Sequence, residues 1–414
     1  MSHKGRFLTP PPEIHPRFTR TRHNKTTQRL GRAQATVCIH VPMELESQMH
    51  KMTLSGGPAH QPCMKCQENC SGFELHAWRK ACARCWCGPE EHGVDSDVAE
   101  DQRLGWLLAG SRHAHMAARR KADAVGGAEG ALRYVYKRHR MIITRPLTSR
   151  KDPTFESLAY EWVPPGVSQA LAVGFMSALP DDKQPVAGTE GERYRQRQLC
   201  RQLPPHDRDP SLCHDLSPAE VRAAAEFARR CAAETLAVGT VCRPKDFIAQ
   251  LQQAQDKDAT RDEGKQGDKN STDQEESSPK EFLCPTCGLS VGVEDPAVLA
   301  RLGADPLAWH PACFSCSECS ELLVDLIYFP HGDRPLCGRH YGEALFPRCP
   351  ACDELIFSQD CVRLGGRAWH RKHFSCAACD ATLPEEPCSV DDGGGRLLCR
   401  QCKGSAATGP RLGV

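Results

Sequence analysis

Apolar residues are spread unevenly along this chain of 414 residues, and their spacing divides it into segments. Val221, Ala224, Ala225, Phe227, Ala228 and Cys231 recur at helical intervals and line one face. In front of them Ser217, Pro218 and Glu220 supply an N-cap, a proline at the first helical position and the reaching-back glutamate of a capping box, and Gly239 marks the end. A second helix is predicted from the capping-box residues Thr189 and Glu192, through the basic run Arg193, Arg195, Arg197 and Arg201, to a stop at Pro204. Its basic face reads as solvated, because it lacks the interleaved aromatics of a nucleic-acid platform. Upstream, Tyr134 to Ile143 mixes bases with apolar residues, and Asp152, Pro153, Thr154 and Phe155 open a short amphipathic stretch ending at Tyr160. Residues 132–240 thus read as a soluble domain, mainly helical, with a small core.

The apolar signal then stops. From 243 to 281, Asp256, Asp258, Asp262, Glu263, Asp268, Asp273, Glu275 and Glu276 alternate with Lys, Gln and Ser, so no core can form. A disordered acidic linker is expected there, leaving the C-terminal part free to move independently. Residues 1–51 read as a disordered basic tail. Eight Lys or Arg between Lys4 and Arg32 face one acid, Glu13, and Pro10, Pro11, Pro12 and Pro16 spoil the amphipathic helix that a mitochondrial presequence would need. No signal-peptide pattern is visible, and no apolar run approaches the eighteen residues or so of a membrane span. A protein of cytoplasm and nucleus, without membrane partners, is expected.

The 25 cysteines change the picture most. Sixteen Cys and His residues fall into two tandem copies: Cys284, Cys287, His310, Cys313, Cys316, Cys319, Cys337, His340, and then Cys349, Cys352, His370, His373, Cys376, Cys379, Cys399, Cys402. A C-x2-C pair places two thiolates on one turn, at the separation that a tetrahedral zinc ion requires. Eight ligands per copy suffice for two ions. An earlier cluster has Cys63, Cys66, Cys82 and Cys85 as two further C-x2-C pairs at zinc-ribbon spacing, with Cys70, Cys87, His76 and His92 as candidates for a second set. Residues 63–92 therefore read as a cysteine-rich zinc module. Reduced thiols holding zinc fit an intracellular protein better than a disulfide framework does.

The two tandem copies resemble LIM domains, at 282–345 and 347–405. That resemblance implies ligand groups taken in sequence order: Cys284, Cys287, His310 and Cys313; Cys316, Cys319, Cys337 and His340; Cys349, Cys352, His370 and His373; Cys376, Cys379, Cys399 and Cys402. His373 stands where many LIM domains have Cys, which makes its site formally neutral and, on the resemblance, the most acid-labile of the four. Trp309 and Trp369 before the central histidines, and Phe314 and Phe374 in the links between sites, are expected to fill the space between metal knuckles. Domains this small bury too little apolar surface to stand alone, so zinc binding becomes folding energy.

The segment Tyr160 to Val167, with Leu203 to Asp207, resembles a PET domain, the module that precedes LIM domains in the prickle and testin families. Adding Cys70 to Glu74, Trp78 to Lys80 and Val324 to Phe329, the order of parts is similar to the LIM and cysteine-rich branch of the PET/LIM family over about 52–405, with 1–51 departing from it. The fold class is thus multidomain, with two small β-rich LIM zinc domains behind a mainly helical PET-like domain and a Cys-rich zinc module. The resemblance implies a zinc-binding adaptor and transcriptional co-repressor that binds GATA-type zinc-finger factors and restrains their DNA binding. A cytoskeletal or signalling scaffold is the alternative.

Charge weighs on these classes. Residues 284–402 carry ten Lys or Arg against sixteen Asp or Glu, a formal −6, and zinc-filled ligand sets of −1, −1, 0 and −2 take it to −10. Phosphate contact needs the opposite sign, so direct nucleic-acid binding is not expected, whereas a basic protein surface suits. Catalysis is not expected either. Four protein ligands per ion leave no open coordination position, and H-E-x-x-H and G-x-x-x-x-G-K-[ST] are absent from the sequence. A ubiquitin ligase with interleaved RING ligands is the enzymatic alternative, and it is disfavoured by the central His370, His373, Cys376, Cys379 order.

Overall fold

In the computed structural model the described residues are 38–39, 63–67, 70–93, 97–121, 132–147, 154–250, 282–303, 305–383, 389–390 and 397–405. Most of the expected basic tail, the linker residues 251–281 and Cys388 lie outside them. Cys38–Ile39, inside the expected tail, is a short strand beside Ile143 and Ile142. No helix among the described residues is long and apolar enough to cross a membrane.

The packed core ahead of the LIM domains begins earlier than the sequence signals suggest. Helix Asp97–Ala109 places Leu104, Leu107 and Leu108, an i, i+3, i+4 set, in the core against the hairpin Ala117–Lys121 and Leu132–Tyr136. Gly105 is required there, since a Cβ would stand 2.6 Å from the Tyr134 carbonyl. The stretch expected to be amphipathic is strand Thr154–Tyr160, antiparallel to Met141–Leu147. Helices Gln169–Ser177, Glu190–Gln202 and Pro218–Arg230 follow.

Two of these helices were predicted from their caps, and the structure treats the caps differently. Ser217 and Glu220 form the reciprocal capping box, Glu220 Oε2 accepting from the Ser217 amide at 2.9 Å. Thr189 instead donates its hydroxyl to the Val186 carbonyl at 2.6 Å, and Glu192 accepts from the Gly188 amide at 2.7 Å. The preceding turn takes the side chains that would have closed the second box. The apolar face of Pro218–Arg230 buries only Ala224 fully. Its Phe227 ring meets Phe346 and Phe357, at 5.4 and 5.8 Å, where the two LIM domains join.

The expected independence of the LIM pair is corrected at the end of this region. A π turn, Cys231–Thr235, closes the last PET helix, and Leu236 enters the core completely buried. The chain then runs as strand Ala237–Val238, paired with Tyr328 and Ile327, and strand Thr240–Cys242, paired with Leu299, Val298 and Ala297. Two sheets of the first LIM domain therefore have three strands, one supplied by the PET region, while its hairpin Phe282–Leu283 with Ser290–Val291 has two. Backbone pairing of these strands holds the PET region to the first LIM domain. Gly239 makes the crossing, its amide donating to the Leu326 carbonyl at 2.9 Å. A Cβ there would lie 2.7 Å from Val298 Cγ1. Gly239→Ala should destabilise the chain by about 1–3 kcal/mol through overpacking, read from urea unfolding.

The basic helix face is also not simply solvated. Arg195 is buried and donates to both carboxylate oxygens of Asp325, at 2.8 and 2.5 Å. Arg201 reaches Glu91 at 2.7 Å and Arg197 reaches Glu190 at 2.5 Å. One apolar core runs from Leu104 through Trp162 and Phe175 to Trp309, Phe314 and Leu336. A second lies in the other LIM domain around Trp369 and Phe374, with Trp78 of the cysteine-rich module packed against it.

Candidate metal centres

Six C-x2-C pairs in the described chain make the same turn. The residue after the second cysteine has positive φ and its amide donates to the carbonyl of the first cysteine. This holds for Gln67 to Cys63 at 2.7 Å, Trp86 to Cys82 at 2.9 Å, Gly288 to Cys284 at 2.8 Å, Ser320 to Cys316 at 2.8 Å, Asp353 to Cys349 at 2.9 Å and Asp380 to Cys376 at 2.9 Å. Left-handed backbone is uncommon outside glycine, and five of these six positions lack glycine. The turn brings two sulfurs to one side, the arrangement of a zinc knuckle.

Other elements deliver the remaining donors. In the first LIM domain His310 ends strand Pro306–Trp309 and begins the turn Pro311–Cys313, so Cys284, Cys287, His310 and Cys313 converge. Cys337 caps helix Gly338–Leu345, and His340 lies one turn on, facing Cys316 at 3.5 Å and Cys337 at 3.2 Å. The set Cys316, Cys319, Cys337 and His340 thus gathers from a knuckle and a helix start. Cys349, Cys352, His370 and His373 meet in the second domain. Cys379 and Cys399 approach to 3.9 Å, with amides of Ala378 and Cys399 donating to Cys376 and that of Cys402 donating to Cys399. The sets follow sequence order and do not interleave, unlike a RING. Trp309 with Phe314, and Trp369 with Phe374, pack edge to face at 5.3 and 5.8 Å, filling the domain cores.

The earlier cluster divides otherwise than the ribbon spacing suggests. Cys63, Cys66, Cys85 and Cys87 form one group and Cys70, Cys82, Cys85 and His92 another. The Cys82 amide donates to the Cys87 carbonyl at 2.9 Å, and this tight loop carries Cys87 to within 3.3 Å of Cys66. His76 joins neither group. Its Nδ1 accepts from the amides of Trp78 and Arg79, and its Nε2 faces Asp380 at 3.6 Å. Cys361 lies on the strand opposite His370, half buried.

The donor chemistry fits zinc. The 23 described cysteines from Cys63 to Cys402 are free thiols despite these short approaches. Burial raises the Cys284 thiol, but amides of Cys287, His310 and Thr286 outweigh it and bring it down to about 7. Burial likewise opposes, and amides outweigh, at Cys82 and Cys376, each held near about 6. Donation by the thiols of Cys319 and Cys337 keeps Cys316 far below the ordinary thiol range. In each of these sets one thiol is held low as the thiolate that zinc takes, while a neighbour is pushed up, Cys313 to about 12 by burial and by the charge of Cys284. His310 keeps Nδ1 near Cys287 and turns Nε2 to the Ser290 carbonyl at 3.2 Å, the outer partner expected of a ligating imidazole. Zinc, when bound, would tie each domain together without an open position for catalysis.

The third LIM set is gripped from outside its own domain. Trp78 stacks on His373 with centroids 4.4 Å apart and planes 8° apart, while His214 of the PET region places Nδ1 3.3 Å from His373 Nε2. Around this joint Arg79 pairs with Asp380 at 2.7 Å, Lys80 with buried Glu354 at 2.7 Å, and Arg348 with Asp207 at 2.6 Å. His206 donates to the Asp353 carbonyl at 2.7 Å. His214→Ala should weaken zinc retention at this set by about tenfold to a hundredfold, measured by competition with a chromogenic chelator.

A PET region joined to paired, sequentially grouped zinc knuckles defines the class, a LIM-domain protein. The family model of the PET Domain matches residues 141–242, and that of the LIM domain matches 284–345 and 349–406. LIM and cysteine-rich domains protein 1 of Bos taurus is 42% identical over 368 residues, spanning 88% of this chain and 98% of the relative. Testin of Sus scrofa is 43% identical over 368 residues, spanning 87% of this chain and 84% of the relative. The chain belongs to the PET/LIM family and is a zinc-binding protein.

One titrating group lies away from the sulfur clusters. Burial, then the charges of Arg112 and His115, lower the His113 imidazole to about 4 from 6.5. The unfolded chain therefore takes up a proton that the folded chain refuses, and stability falls as pH drops from 6.5 towards 4. His113→Asn should flatten that part of the stability profile relative to wild type, as measured by denaturant unfolding across the range.

Proposed function

We propose that this protein is a protein-interaction adaptor that acts as a transcriptional co-repressor, moving between cytoplasm and nucleus and holding GATA-type zinc-finger factors off DNA. The observation that carries the adaptor reading is an unmatched strand edge. In the first LIM domain the hairpin of Ala297–Arg301 and Pro306–Trp309 receives a third strand, with Val241 opposite Val298. The equivalent hairpin of the second, Cys361–Leu364 with Arg367–His370, has two strands among the described residues. Val298 faces Trp309 just as Val362 faces Trp369, so the edge at Val362 corresponds to the one filled by Val241. An extended partner segment could add there by main-chain pairing. The acidic balance of residues 284–402 supports a basic partner such as a DNA-binding finger.

The test titrates the full chain into a GATA-type finger domain bound to labelled DNA. Release of the DNA is expected, weakened by salt and by reversing exposed Asp305 and Asp333 to Lys. DNA binding left intact would refute the co-repressor reading and favour a scaffold. A complex insensitive to salt and to both reversals would refute the electrostatic basis.

A further inference from the structure

Among the described residues the cysteine-rich module contains seven convergent donors, one fewer than two separate four-coordinate sites require. Its second group is complete by itself. Cys82 and Cys85 are the two cysteines of one knuckle, Cys70 Sγ lies 3.9 Å from Cys82 Sγ, and His92 Nε2 lies 3.6 Å from Cys70 Sγ and 3.4 Å from Cys85 Sγ. His92 is 1% exposed, and its Nδ1 is 3.0 Å from the Gly88 carbonyl, so Nε2 is the nitrogen left for a metal. Among the described residues the first group has three donors of its own: the knuckle Cys63 and Cys66, and Cys87, whose sulfur is 3.3 Å from that of Cys66. The fourth sulfur within reach of all three is again that of Cys85.

A zinc–thiolate bond of about 2.3 Å places neighbouring sulfurs of a tetrahedron about 3.8 Å apart. The separations of 3.3–3.9 Å in this module match such edges. Both knuckles use the turn of the four LIM knuckles, with Gln67 and Trp86 at φ 48° and 64°. The two halves are also tied together, because the Met64 amide donates to the Glu91 carbonyl at 2.8 Å, next to His92.

We propose that the module holds a two-zinc centre in which the Cys85 thiolate bridges the ions, with Cys63, Cys66 and Cys87 completing one and Cys70, Cys82 and His92 the other. Three terminal donors per ion and one shared sulfur give each ion four ligands. Six thiolates, a neutral imidazole and two Zn²⁺ leave the centre at a formal −2. Its role is structural: the centre anchors the segment that carries Trp78, Arg79 and Lys80 onto the second LIM domain.

The test counts zinc in the intact full chain by native mass spectrometry and then exchanges it for ¹¹³Cd. Six zinc ions are expected, and two of six cadmium resonances should show mutual scalar coupling through one sulfur. Cys85→Ser should remove two ions, leaving four, whereas Cys379→Ser in the last LIM set should remove one. A wild-type count of four or five, six cadmium resonances without a coupled pair, or the loss of a single ion on Cys85→Ser would overturn the bridge. The coupling is read on the wild-type chain, so it decides the matter even if the variant fails to fold.

Discussion

Cys316→Ser should unfold the first LIM domain and release the PET strands with it. Structural zinc contributes about 10–16 kcal/mol of apparent binding energy in small zinc domains, against total stabilities of about 5–15 kcal/mol for ordinary domains. Cys316 also shapes the loop that the PET region grips. Its amide donates to the Glu321 carbonyl at 2.9 Å. Beyond it Tyr194 donates to the Glu321 side chain at 2.8 Å, and Gln202 donates to the Leu322 carbonyl at 2.6 Å while accepting from the Val324 amide at 3.0 Å. Loss of the knuckle therefore removes both the domain core and the docking site of helix Glu190–Gln202. The expected readout is a zinc count reduced by at least one, with loss of near-ultraviolet dichroism from Trp309 and Tyr328. Chelation of the wild-type chain should reproduce it. Retention of a cooperative native transition in Cys316→Ser would show that the core stands without this site.

The second large effect is expected at Arg195 and Asp325. Both side chains are almost wholly buried, at 5% and 1% exposure, so removing one leaves the other charged without a matched partner. Asp325→Asn should cost about 3–5 kcal/mol in urea unfolding, typical of breaking a buried ion pair. Asn is the appropriate replacement because Asp325 has φ 50°, a conformation that Asn tolerates. Glu100 Oε2 lies 4.0 Å from Arg195 and is itself buried, so it offers only partial compensation. Pairing Asp325→Asn with Arg195→Met should recover much of the loss, since no uncompensated charge then remains. Equal stability of wild type and Asp325→Asn would mean that the joint rests on strand pairing and apolar packing alone.

How far the sequence could be read follows from what each signal encodes. Ligand spacing is local chemistry, and C-x2-C pairs announced the knuckles and convergent LIM sets. The Ser217 capping box and the interior Trp309 and Phe314 were legible for the same reason. Contacts set by tertiary packing were not. Arg195 looked like one base on a solvated face, because nothing near it in sequence names Asp325. Ala237 to Cys242 is too short to signal strands, and its partners lie beyond a polar linker that suggested separation. Cys87 looked secondary to the Cys82 and Cys85 pair until the fold carried it to Cys66. His76 had the right chemistry in the right interval, but its ring is turned to Asp380 and to nearby amides. The helix Asp97–Ala109 had a usable sign in Leu104, Leu107 and Leu108, and it is the element that sequence reading should have found.

The zinc-built first LIM domain and the PET region form one body, joined through strands Ala237–Val238 and Thr240–Cys242. Hydrogen exchange of the intact, zinc-loaded chain tests it most directly at the amide of Gly239, bonded to Leu326, and along the strand pairing with Ala297 to Leu299. The expected result is protection of residues 237–242 equal to that of 297–301, with both lost together when zinc is chelated. Rapid exchange at 237–242 while 297–301 stays protected would contradict it, and would make the LIM domains a separate unit tethered to the PET region.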